Sequence, residues 1–159
     1  MELSDYYFLP VNFNQERLKS TGVAFTEFKN TLSALLGKTL LFLDTCHAGN
    51  VLGGTRRTAL DITGIINELA SAESGVVVFA ASSGQQYSLE NDKWGNGAFT
   101  KALVEGLGGK ADYTKTGRIT VTTLDLYLAE RVKELTQGQQ KPVTAKPAAI
   151  GDFPLALVQ

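Results

Sequence analysis

Apolar positions recur along this chain in two ways. In the first they sit at helical spacing. Phe25, Phe28, Leu32, Leu35 and Leu36 form one such series, with Gly37 as its stop. Ile62, Ile65, Ile66 and Leu69 form a second amphipathic series, and Phe99, Ala102, Leu103 and Leu107 a third. Leu124, Leu128, Val132 and Leu135 make a fourth, for which Thr122 and Asp125 read as a capping box. In the second they form short unbroken runs. Residues 38–43, bounded by Gly37 and Asp44, and residues 76–81 read as strands buried on both faces. Residues 6–11 predict a short extended segment, and residues 153–158 a last strand. Pro142 and Pro147 break the stretch before that strand.

Strand and helix therefore alternate, and the strands are apolar throughout. That order predicts an α/β domain with a mostly parallel sheet and helices on both faces. No repeat, low-complexity segment or linker divides the chain, so residues 1–159 read as one domain. In sheets of this kind ligands bind beyond the carboxyl ends of the strands. Two segments fall there, residues 44–50 and residues 82–97, and function is expected in them.

Composition narrows the classes. The chain has 159 residues, 43% of them hydrophobic, with a net charge of −1. Acids and bases are mixed, so neither nucleic acid nor an anionic membrane surface is an expected partner. The apolar runs are too short to cross a bilayer, and the first ten residues do not read as a secretory signal. The single cysteine rules out an internal disulfide and points to a reduced, cytoplasmic setting. With one histidine and no CxxC or HxxxH spacing, no metal site is expected.

The chemistry centres on Cys46. It lies where an apolar strand meets its loop, in the segment Leu40-Leu41-Phe42-Leu43-Asp44-Thr45-Cys46-His47-Ala48-Gly49. A thiolate attacks carbonyls when its pKa is lowered or a base adjoins it. The plainer reading, a small buried core residue, stands beside that one.

Asp44-Thr45-Cys46-His47-Ala48-Gly49 resembles the D-[ST]-C-H-[SA]-G motif of caspase-like cysteine peptidases, the metacaspases and their bacterial relatives. The resemblance continues through Ala80-Ala81-Ser82-Ser83, which looks like the family's second strand and substrate loop. It extends through Trp94-Gly95-Asn96-Gly97-Ala98-Phe99-Thr100, similar to G-x-G-x-F-T, and through Ile150-Gly151-Asp152-Phe153-Pro154-Leu155. It implies the three-layer caspase-hemoglobinase fold and an endopeptidase working by a Cys-His dyad, with Cys46 as the nucleophile.

The family's histidine lies in an H-G pair roughly 50 residues before the cysteine, which here falls before Met1. The resemblance thus implies an N-terminally incomplete domain, whose partner is the missing segment and which is inactive alone. The only histidine, His47, adjoins Cys46, and neighbouring residues in extended chain point to opposite sides. His47 is then expected to brace the loop structurally, with Gly49 beside it. The oxyanion would be met by the Cys46 backbone N–H and by the glycine of the upstream pair.

Asp44 lies two residues before the nucleophile, so alternation puts it on the same side as Cys46. A carboxylate there suits a P1 arginine or lysine, against the plainer reading of a loop cap or salt bridge. Gln86-Tyr87-Ser88-Leu89-Glu90 resembles the Q-T-S-x-D pattern of metacaspases, departing at Tyr87. Glu90 and Asp92 are then further candidates for the basic pocket, with Ser82 at its edge. Protein or peptide substrates follow. No cofactor is expected, although some metacaspases use calcium. If the pocket prefers basic residues, Arg56 and Arg57 are a candidate self-cleavage site. Two other classes remain: an inactive caspase-like scaffold, and a nucleotide-binding domain with Gly95-Asn96-Gly97 at a helix start. The second lacks both GxGxxG after a strand and GxxxxGK[ST].

Overall fold

The computed structural model describes residues 6–44, 62–71, 73–82 and 97–158. In chain order these form β1 (Tyr7–Phe8), α1 (Leu18–Thr21), β2 (Val23–Ala24), α2 (Phe25–Ser33), β3 (Thr39–Leu43), α3 (Ile62–Leu69) and β4 (Val76–Ala80). There follow α4 (Ala98–Glu105), β5 (Arg118–Thr120), α5 (Val121–Leu135), β6 (Val143–Ala145) and β7 (Pro154–Leu157).

Three consecutive valines and a phenylalanine give β4 the branched and aromatic side chains that suit a pleated surface. The strand is buried from end to end. It lies between β3 and β6 in a three-stranded sheet. With β3 it pairs in parallel, Thr39 opposite Val76 and Leu43 opposite Ala80. Its side chains then divide by parity, as strand geometry requires. Val77, Phe79 and Ala81 join a core with Phe99 and Ala102 of α4 and Val121, Leu124, Leu128 and Val132 of α5. Val76, Val78 and Ala80 join a second core with Phe25 of α2 and Ile65, Ile66 and Leu69 of α3. Each large apolar side chain so buried is worth about 1.5–3 kcal/mol. Phe42 of β3 stacks on Phe79 at 5.1 Å between ring centroids, tying the parallel pair on the α4–α5 side.

The parallel expectation holds for β3 and β4. The other described pairings, β1–β2, β4–β6 and β5–β7, are antiparallel, so the described strands do not make a mostly parallel sheet. The prolines thought to break the late segment instead bound β6. Pro142 precedes Val143 and Pro147 follows Ala145, leaving the paired residues free to donate. The short strands β2 and β5 were not legible as strands. β3 is half-buried for four of its five residues, because among the described strands it has a neighbour on one side only.

Two helix ends also differ from the reading. The α2 helix stops at Ser33, leaving Leu35 and Leu36 exposed, while Gly37 at φ +107° turns the chain toward β3. The α5 helix is capped by Thr120 and Thr123, not by Thr122 and Asp125. The Thr120 hydroxyl accepts from the Thr123 N–H at 3.3 Å, and the Thr123 hydroxyl accepts from the Thr120 N–H at 2.9 Å. The Thr122 N–H is instead taken by the Asp152 carboxylate at 2.9 Å.

Beyond α4 the chain makes a π turn, Gly106–Lys110. A Cβ at Gly106 would stand 2.9 Å from side-chain carbons of Leu124 and Tyr127. The missing side chain is what lets the end of α4 close on α5.

Candidate active site

The parallel register brings the ends of β3 and β4 to one level. The Ala81 N–H donates to the Leu43 carbonyl at 2.8 Å. Asp44 and Ser82, the residues that follow, therefore leave the sheet at the same end. This is the carboxyl end, where function was expected.

Asp44 is exposed, and its side is set by parity. Leu40 and Phe42 pack with the α4–α5 core, and Leu41 and Leu43 with the other. Asp44 continues the first set. Its carboxylate Oδ2 accepts a hydrogen bond from the Thr100 hydroxyl, in the first turn of α4, at 2.5 Å. Cys46, His47, Gly49, Glu90 and Asp92 lie outside the described residues, as do Arg56 and Arg57.

Ser82 is buried, at 5% exposure. The exit of β4 beside it is fixed from below. Gln140, fully buried, donates from Nε2 to the Ala81 carbonyl at 2.9 Å. Its own N–H donates to the Thr136 hydroxyl at 3.1 Å, and that hydroxyl donates to the Val132 carbonyl at 2.7 Å. A buried amide satisfied in this way is a strong constraint, because leaving it unmade costs about 1–3 kcal/mol. The chain just beyond α5 thus holds the end of β4 at Ala81. Neither Gln140 nor Thr100 was given a role from the sequence. Thr100 fell in a stretch similar to the caspase-like pattern, and only the pairing across the fold shows what either residue holds.

The far end of α4 is charged and closed. Glu105 pairs with Arg131 at 2.8 Å, Lys101 at 3.0 Å and Lys110 at 3.3 Å, and accepts from the Tyr127 hydroxyl at 3.0 Å. Arg131 foremost, helped by the other donors against the opposing effect of burial, holds the Glu105 carboxyl well below its ordinary value. Burial, then the bond to Glu105, pushes the Tyr127 phenol up to about 12. Lys110, the lysine of the glycine-rich stretch, is engaged with Glu105. The glycine-led start of α4 faces the carboxylate of Asp44. Both observations count against a phosphate-binding reading.

Among the described residues no group of three or more His, Cys, Asp or Glu is placed to hold a metal. None of their helices is long and apolar enough to cross a membrane.

An apolar parallel pair, an aspartate at its carboxyl end and a DTCHAG segment running on from it define a class, and comparison with known families bears on the same residues. The chain belongs to the peptidase C14 family: the caspase-domain profile matches residues 2–153. The fold class is thus caspase-like α/β, and the activity that goes with it is that of a cysteine-type peptidase acting on protein substrates. No curated protein and no solved structure matches the chain.

Proposed function

We propose that this chain is the cysteine-bearing part of a metacaspase-like endopeptidase that cleaves after arginine or lysine in the cytoplasm. Cys46 is the nucleophile. Its base is a histidine other than His47, the single one in these 159 residues, so that they are inactive alone. The two cores on opposite sides of β4 are read as the outer layers of the three-layer caspase-hemoglobinase arrangement, in a single domain.

The observation that carries the reading is the position of Asp44. It is an exposed carboxylate at the carboxyl end of β3, two residues before Cys46 in the sequence. A thiol attacking a peptide carbonyl would have an anion two residues away to receive the cationic side chain before the scissile bond. Arginine is met bidentately, lysine as a point charge. Glu90 and Asp92 add charge to the same pocket, and Ser82 stands at the root of their loop. The thiolate attacks the carbonyl carbon, the backbone N–H of Cys46 supports the oxyanion, and the histidine returns a proton to the leaving amine.

One observation favours a second reading, an inactive caspase-like scaffold: the only histidine of the chain is the direct neighbour of Cys46. The same assay decides between them. The full-length protein is incubated with fluorogenic peptides ending in Arg, Lys or Asp. Turnover of the basic substrates, reduced by several orders of magnitude in Cys46→Ala, supports the peptidase. No turnover with any substrate supports the scaffold. A profile led by Asp rejects the basic pocket.

A further inference from the structure

We propose that Thr100 is a positioning residue for recognition of the P1 side chain: its hydroxyl orients the Asp44 carboxylate so that a guanidinium is met by both oxygens. The proposal rests on the reading of Asp44 as the acid of a basic pocket.

Asp44 is exposed and stands just beyond the last paired residue of β3. Thr100 comes from a helix whose preceding residues, Ala98 and Phe99, are buried in the core. As a β-branched residue it has few side-chain rotamers. A 2.5 Å contact is in the range of a hydroxyl donating to a carboxylate, among the stronger hydrogen bonds. The helix cannot easily shift in compensation, because Glu105 at its other end is held by Arg131 of α5. Thr100 thus transmits the rigidity of the α4–α5 core to a surface carboxylate.

Acceptor capacity is not exhausted by this bond. Each carboxylate oxygen offers two lone-pair sites, so Oδ2 can accept from Thr100 and from a guanidinium together. Orientation matters most for arginine, whose planar fork demands two aligned oxygens, and less for lysine. Thr100 therefore contributes to arginine recognition specifically, and not merely to negative potential.

The test measures binding, so that it is independent of turnover. Full-length protein carrying Cys46→Ala is titrated with matched peptides whose P1 residue is arginine or citrulline, its neutral isostere, and the ratio of the two affinities is read. Adding Thr100→Val lowers the arginine-to-citrulline ratio about tenfold, the size of one hydrogen bond to a charged group. Thr100→Ser, which keeps the hydroxyl, holds the ratio within about twofold. Thr100→Ala replaces Thr100→Val should the latter fail to fold. Asp44→Asn lowers the ratio further than either. If Asp44→Asn lowers the ratio and Thr100→Val does not, the Thr100 proposal is overturned while the Asp44 reading stands. A loss in Thr100→Val that falls equally on both peptides marks a structural defect and also overturns it. A rise in the ratio would mean that the hydroxyl competes with the substrate, the opposite of positioning. If Asp44→Asn leaves the ratio unchanged, or neither peptide binds, the Asp44 reading fails and takes the proposal with it.

Discussion

The two ends of α4 are held in different ways. Its last turn is closed by Glu105, a largely buried carboxylate with four partners drawn from α4, α5 and the π turn. Its first turn, begun by Gly97 with no side-chain cap, meets Asp44 through an exposed hydrogen bond from Thr100. Both involve a carboxylate and a donor, but they differ in what surrounds them. At Glu105 the charge is satisfied inside the structure and nothing is left to offer a ligand. At Asp44 the charge faces outward at the carboxyl end of a parallel pair. The first arrangement fixes the helix, and the second displays an anion from it.

The largest effect is expected where the partners are most numerous. Glu105→Ala leaves Arg131 half-buried without its closest acceptor, and stability in urea should fall by about 2–3 kcal/mol. A change under about 0.5 kcal/mol would mean that the cluster does not hold α4 to α5. The same carboxylate sets an acid limb. Its folded pKa lies below the ordinary 4.5, so its contribution is complete above that value and is lost as pH falls toward the lower folded one. Stability measured from pH 6 downward should decline below about pH 4.5, and Glu105→Gln should decline less steeply over that window. An identical acid limb in the variant would contradict the assignment.

A smaller effect is expected at the start of the partner helix α5. Burial would raise the pKa of Asp152, but the Thr122 N–H, the Thr120 and Thr122 hydroxyls and the Phe153 N–H together hold it below its ordinary value. Asp152→Ala removes an acceptor from the first turn and should cost about 1 kcal/mol in urea unfolding, the size of a lost helix cap. A neutral result would show that water replaces it.

The smallest effect on stability belongs to Thr100. Thr100→Val breaks one exposed bond and should change unfolding by less than about 0.5 kcal/mol, although it changes arginine recognition. A loss above about 1 kcal/mol would erase the contrast between the two ends.

What the sequence revealed follows the same division. Ile62, Ile65, Ile66 and Leu69 sit in α3 as their spacing required, and the run at Val76–Ala80 is the fully buried strand it resembled. Such elements declare themselves because burial dictates residue type locally. The end of α2 did not, because Leu35 and Leu36 continue the apolar spacing after the helix has stopped and are exposed. β6 was hidden between two prolines that border its paired residues. At the end of β3, the position of Asp44 was legible from the apolar run that it terminates. Thr100 was not, because the bond joins positions 56 apart that only the packing of α4 on the sheet brings together. Gln140 was missed for the same reason, since nothing near it in the chain announces that its amide will support Ala81, 59 positions away.

The central claim is that Cys46 is an activated nucleophile beside a pocket for a basic side chain. It is tested most directly by mixing the full-length protein with a peptide chloromethyl ketone ending in arginine and mapping the adduct by mass spectrometry. The account predicts a single adduct on Cys46, slowed by Asp44→Asn and absent when the reagent ends in aspartate. An unmodified Cys46, or labelling at equal rates by the arginine and aspartate reagents, would contradict it.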